Sequence, residues 1–106
     1  MIFVFEVHIH DGYTAEQYAD GWIRASRIIQ RSEGARGTRL HRRIGDPRIL
    51  LAIASWESKA LRDAMEANPA ERVRTIIAEQ ARFVDVRVVG EFEDPEWSVL
   101  PESLEA

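Results

Sequence analysis

Between Ile49 and Trp56 only Ser55 interrupts an apolar run. Side chains alternate along a strand, so Ile49, Leu51 and Ile53 point to one side and Leu50, Ala52, Ala54 and Trp56 to the other. A sheet with helices on one face and water on the other shows a polar second face. This strand does not, so the pattern predicts that its second face is covered too. In so short a chain the expected cover is a second copy of itself.

The same period recurs at residues 2–10. Phe3, Phe5, Val7 and Ile9 form one face, and Ile2, Val4, Glu6, His8 and His10 the other. Asp11-Gly12 ends that strand. Thr14 and Gln17 then have the spacing of a capping box, and Tyr18, Trp22, Ala25 and Ile29 follow at helical intervals, with Gly34 as the stop. Residues 37–44 predict a basic second strand with Arg39, His41 and Arg43 on one face. Gly45-Asp46-Pro47 is turn chemistry, so this strand and the 49–56 run form an antiparallel hairpin. Ser58 caps a helix to about Ala67. Asn68-Pro69 predicts the start of another, with Val73, Ile76, Ile77 and Ala81 facing inward. Residues 83–92, rich in valine, predict a fourth strand.

Strand, helix, strand, strand, helix, strand is the order of an α+β, ferredoxin-like split βαβ sandwich with a four-stranded antiparallel sheet. Two such sheets packed face to face form a dimeric α+β barrel about a two-fold axis. Residues 1–93 are expected to form this domain, and residues 94–106, with two prolines and several acids around Trp97, an irregular tail.

Composition narrows the function classes. The 106 residues are 45% hydrophobic and 30% charged, ordinary for one soluble globular domain. A net charge of −4 carries no electrostatic footprint for nucleic acid. The absence of cysteine excludes disulfides and thiolate metal sites. The apolar start meets Glu6 too soon for a signal peptide or a membrane span. The expectation is a cytoplasmic protein that binds neither nucleic acid nor membrane.

Three features now point further: Ser55-Trp56-Glu57-Ser58 where the third strand meets the second helix, Asn68-Pro69-Ala70 before the next helix, and Arg36-Gly37-Thr38 at the second strand. In these the chain resembles the antibiotic biosynthesis monooxygenase family of dimeric α+β barrels, over roughly residues 2–92. The resemblance implies a cavity between sheet and helices for a small apolar or aromatic molecule, and cofactor-independent oxygenation of a polyketide-like substrate. In quinone-forming members an asparagine lies four residues before the tryptophan and a tyrosine about six after it. Here Trp56 is kept, and those positions hold Ala52 and Arg62. A family arginine falls near Arg74. The resemblance thus implies Trp56 orienting the substrate, Arg74 or Arg62 stabilising negative charge, and Phe5, Val7, Tyr18, Trp22 and Ala52 as substrate-binding residues. At the positions that serve the family's haem-degrading members stand Val7, Met65 and roughly Thr75, and no histidine follows His41, so no cofactor is expected. A non-catalytic or stress-related binding barrel, and an isomerase or lyase on the same scaffold, stand as alternatives.

Two further clusters have ordinary explanations. Glu6, His8 and His10 share a strand face, but alternate residues lie almost 7 Å apart (about twice the rise per residue). That is a wide span for one ion, so no metal is expected there and a hydrogen-bonded interface cluster is. Arg39, Arg42, Arg43 and Arg48 surround the hairpin. They are expected to form a solvated edge paired with acids such as Asp46, or with the acidic tail of a second subunit.

Overall fold

The computed structural model describes residues 1–102. Its elements run β1 (Ile2–Ile9), α1 (Ala15–Ile29), β2 (Ala35–Arg42), β3 (Ile49–Trp56), α2 (Lys59–Ala67), α3 (Glu71–Gln80) and β4 (Val84–Phe92). The four strands form one antiparallel-paired sheet in the order β2-β3-β1-β4, with the helices on one side. This is the α+β ferredoxin-like arrangement that the sequence predicts. No helix among the described residues is long and apolar enough to cross a membrane.

Local chemistry sets the helix starts. The Gln17 amide donates to Thr14 Oγ1 at 3.1 Å while the Thr14 amide donates to Gln17 Oε1 at 2.7 Å, which closes the capping box. Ser58 accepts from the Leu61 amide at 3.2 Å and starts α2. The predicted start of α3 is corrected. Asn68 ends α2 instead of capping α3, its amide donating to Met65 O at 3.2 Å. Helix α3 resumes at Glu71, after an Ala70 that has no side chain to cap it. Strand β2 also starts and ends two residues earlier than the 37–44 reading.

The helix-facing side of the sheet holds the core. Val7, Ile9, Leu50 and Val84 pack with Ala15 and Tyr18, flanked by Phe5, Trp22, Leu40 and Phe83. Where α1 crosses α3, Gly21 is buried, and the Gln80 side chain donates from Nε2 to Tyr18 O at 2.7 Å. A Cβ on Gly21 would lie 2.5 Å from that Nε2. After α1 the chain turns at Gly34, whose φ of +86° only glycine adopts readily. A Cβ there would also lie 2.6 Å from Leu61 Cδ1 of α2.

The outer face of the sheet follows from the register. Glu6, Leu51 and His41 stand in one row, and Val4, Ile53 and Arg39 in the next. Ile49, Leu51 and Ile53 are half-buried there, whereas Leu50, Ala52 and Trp56 on the helix side are buried. Strand β4 carries one extra residue against β1. Val88 pairs with Phe5 and Gly90 with Val4, which leaves Val89 as a bulge. Beyond Phe92, residues 93–102 form no strand or helix. The remainder of the expected irregular tail, 103–106, lies outside the described residues.

Candidate functional site

A cavity of about 270 Å³ opens between the sheet and the three helices. Strands β1 and β3 supply Phe3, Phe5, Ala54 and Trp56, and α1 supplies Tyr18, Trp22 and Ile29. From the far side come Arg62 and Met65 of α2 and Val73 and Ile77 of α3. Period-two alternation places the strand aromatics here, and the four- and three-residue spacings of α1 bring its stripe to meet them. A mostly apolar, concave space with few polar groups is the usual form of a small-molecule site.

Trp56 is 2% exposed and seals the strand–helix junction. The Phe3 and Phe5 rings meet with centroids 5.6 Å apart and planes tilted by 42°. Tyr18 is buried, and burial pushes its phenol up to about 12, because an apolar surrounding disfavours the phenolate. Its hydroxyl has no hydrogen-bond partner among the described residues, although every fully buried polar side-chain atom there has one. The hydroxyl is therefore not sealed off.

Arg62 is the cationic group of the site. Its guanidinium lies 3.7 Å from the centroid of the Phe3 ring, a cation–π contact. Nη1 gathers the neighbouring carboxylates: Glu66 at 2.9 Å, Glu91 at 3.8 Å and Asp63 at 3.9 Å. Nε and Nη2 have no protein partner among the described residues. Lys59 shares Asp63 and Glu91 from outside, at 2.9 and 3.3 Å. These carboxylates, Asp63 first, hold its ammonium above the usual lysine range. The composition of the helix does not announce that Arg62 is buried. The signal was available in its spacing: Arg62 follows Ser58 by four and precedes Met65 and Glu66 by three and four, on the inner face of a nine-residue helix.

The sequence-derived site residues divide in two. Trp56, Arg62, Phe5, Tyr18 and Trp22 come together around the cavity. Val7 and Ala52, both with no exposed surface, sit in the packed core and not on the cavity wall. Alternation assigns a residue to a face but not to a height along the strand, and Val7 stands opposite Leu50 at the filled end. Arg74 is corrected as well. It is exposed on α3 and does not line the cavity, because Val73 and Ile76 take the inward positions and the next residue round the helix turns away. Ile77 is 55% exposed yet borders the cavity, so it stands at the mouth, while Ala81 is exposed.

The two clusters outside the cavity also resolve. His8 Nε2 meets Glu6 Oε1 at 2.8 Å on the outer face. His10 leaves that pair and binds Asp85 at 3.0 Å and Arg82 O at 3.0 Å, and the Asp85 contact, before the carbonyl, raises its imidazole above the ordinary histidine value. Around the hairpin, Arg42 pairs with Glu16 at 2.7 Å and Arg48 with Asp11 at 3.1 Å. Asp46, which the sequence suggests as a partner for these guanidiniums, makes no ion pair among the described residues. Its Oδ1 instead accepts the Arg48 amide at 3.3 Å, which shapes the turn.

Comparison with solved structures follows this geometry. SnoaB from Streptomyces nogalater, a cofactor-independent oxygenase, superposes with a TM-score of 0.78 over 95% of this chain and 96% of its own, at 16% identity. A Deinococcus radiodurans protein named as a candidate antibiotic biosynthesis monooxygenase gives 0.74 over 95% and 100%, at 11% identity. One from Nitrosomonas europaea, named likewise, gives 0.65 over 85% and 89%, at 12% identity. No protein-family model matches the chain, and no curated protein matches it in sequence. At such identities the likeness is one of backbone, and what it establishes is that this chain has the fold on which those monooxygenase-named proteins are built.

Proposed function

We propose that this protein is a cofactor-independent monooxygenase of the antibiotic biosynthesis monooxygenase family, acting on a small aromatic or polyketide-like substrate as a homodimer joined through its outer sheet faces. The observation that carries the reading is the aromatic cavity with one buried cation on its wall. Without a cofactor the electrons for dioxygen must come from the substrate, and an electron-rich ring gives them up most readily once its hydroxyl has ionised. Phe5 and Trp22, both partly exposed on the wall, offer apolar ring surface for such a substrate, with Trp56 packed behind them. The Nε–H and Nη2–H donors of Arg62 supply a positive dipole for the oxygen on which charge develops. Arg62 takes this role in preference to Arg74, which stands outside the cavity. The half-buried set Ile49, Leu51 and Ile53 on the outer face supports the dimer.

A second reading has its own support. The titratable groups on the cavity wall are Tyr18, Arg62 and Glu66, and Glu66 is already engaged by Arg62. An unengaged base is missing from the wall, which favours a binding module without turnover. One experiment separates the two. An oxygen electrode records dioxygen uptake with a panel of anthrones and polycyclic phenols, and thermal unfolding is followed with the same compounds. An oxygenase consumes dioxygen with at least one of them, and uptake falls about a hundredfold or more in Arg62→Met, which removes both preorganised donors. Stabilisation by a compound without uptake of dioxygen selects the binding module. Trp56→Phe should still fold and dimerise while binding that compound more weakly. Unchanged affinity together with loss of the dimer would invert the assignment of the two sheet faces.

A further inference from the structure

The outer face of the sheet bears a groove of about 520 Å³, on the side away from the cavity. Ile49, Leu51 and Ile53 form its floor, and His41 and Arg43 its β2 flank. Glu6 stands on the opposite wall, already bonded to His8. Arg39 lies in the row of Ile53, on the same flank. Neither Arg39 nor Arg43 makes an ion pair among the described residues, whereas Arg42 and Arg48 both do. The flank therefore presents unspent positive charge beside an apolar floor.

The end of the described chain has the complementary character. Residues 93–102 carry Glu93, Asp94, Glu96 and Glu102 and no basic residue. Among them Trp97, Val99 and Leu100 are 85%, 100% and 80% exposed. The radius of gyration of 15.7 Å exceeds the roughly 13 Å of a compact chain of this length, as an arm standing off the body requires. An indole flanked by carboxylates and held in water suits an apolar floor rimmed by guanidiniums, which attract both the acids and the ring face.

We infer that this arm docks in trans: Trp97 seats on the Ile49–Leu51–Ile53 floor of a second copy, with Glu93 and Glu96 beside that copy's Arg39 and Arg43, while Asp94 Oδ1 stays on its own chain's N-terminal ammonium at 2.9 Å. The inference rests on the face-to-face dimer proposed above. The chain's own arm leaves the sheet pointing away from its own groove. Phe92 pairs with Ile2 and Val84 with Ile9, so β4 runs past the rows of His8, Glu6 and Val4 that the floor spans and leaves beyond the Ile2 end, where the Met1 ammonium holds both Asp94 at 2.9 Å and Trp56 O at 2.8 Å. From there Leu51, the middle of the floor, lies back along β3 by the five residues from Trp56, about 17 Å. The three residues from Asp94 to Trp97 span at most about 11 Å when extended, and would first have to reverse direction. A two-fold axis lying between the sheets and across the strands turns the second copy end for end. Its β4 then runs over this chain's β4 in the opposite sense, which brings its arm to the Ile9 end of this sheet, two strand spacings or about 10 Å to the side of β3.

Sedimentation equilibrium tests this with the full chain, Trp97→Ser and Arg39→Glu/Arg43→Glu. All of these side chains are exposed, so the variants fold as the parent does, which thermal unfolding verifies. The dimer dissociation constant should rise about tenfold or more in each variant, the scale of an interface tryptophan or charge pair. Added salt should weaken the parent dimer more than the double variant. The protein has no cysteine of its own, so a mixture of Glu96→Cys and Arg43→Cys chains should yield a mixed disulfide in excess of either like pair. A parent dimer whose dissociation constant is unchanged in both variants, with no excess of mixed disulfide, overturns the docked arm and leaves the sheet dimer standing. A parent chain that stays monomeric at micromolar concentration overturns the dimer and the arm with it.

Discussion

Replacing Gly21 by alanine should destabilise the protein, and should stabilise it once Gln80 has been shortened. Gly21 lies in the interior of α1, where alanine is better than glycine by about 1 kcal/mol. Against that gain stands the contact with α3. The new Cβ would fall 2.5 Å from Gln80 Nε2 and 2.9 Å from its Cδ, and the three nearest atoms all belong to Gln80. The amide has to move, and its bond to Tyr18 O breaks. That costs about 1 kcal/mol if Gln80 finds another partner, and up to about 3 kcal/mol if its amide stays buried without one. The net effect of Gly21→Ala is a loss of about 0–2 kcal/mol, or up to about 10 °C in the unfolding temperature of a domain of this size. In a Gln80→Ala background the obstruction is gone, and the same change should gain about 1 kcal/mol. The coupling between the sites is then about 1–3 kcal/mol. Urea unfolding of the four proteins, at one fixed protein concentration, measures it directly. Equal effects of Gly21→Ala in the two backgrounds would show that the glycine is not there to admit the amide.

Other perturbations have equally definite outcomes. Gly34→Ala meets both a φ of +86° and Leu61 Cδ1 at 2.6 Å, so it should cost more than about 1 kcal/mol, the price of the conformation alone. Leu61→Ala should relieve only part of the loss, and full rescue would show that backbone conformation plays no part. The raised imidazole of His10 makes a pH prediction. A folded-state value above the unfolded one means that the Asp85 contact stabilises fully below about pH 6.5 and fades as pH rises through the raised value. The advantage of the parent over His10→Asn in urea unfolding should therefore shrink from mildly acid to mildly alkaline solution, and an advantage that grows with pH contradicts the assignment.

What the sequence reveals and hides has physical reasons. Thr14 with Gln17 and Ser58 with Leu61 are short-range devices whose partners lie within one helical turn, so spacing alone exposes them. The two apolar faces of β3 are legible because alternation is a property of the backbone. Asn68-Pro69 misleads because asparagine suits either end of a helix, and here it closes α2. Val7 lies on the correct face but at the filled end of the core, and Ala52 stands level with the cavity residue Phe5 yet is covered by its neighbours, distinctions that only three-dimensional packing makes. Gln80 was invisible as a cavity and crossing residue, since its partner Tyr18 is 62 positions away.

The bulge at Val89 gives β4 two phases. Up to Val88 the strand obeys one parity. From Gly90 onward it obeys the other, so Glu91 shares the helix side with Phe3, and Phe92 shares the outer side with Ile2. Loss of that single extra residue would send Glu91 outward, away from Lys59 and Arg62, and would turn over everything downstream. The count of residues in β4 thus acts as an address label: one codon more or fewer redirects the last carboxylate of the site and the departing chain together. Insertions and deletions at this point should be far less tolerated than substitutions of Val89 itself.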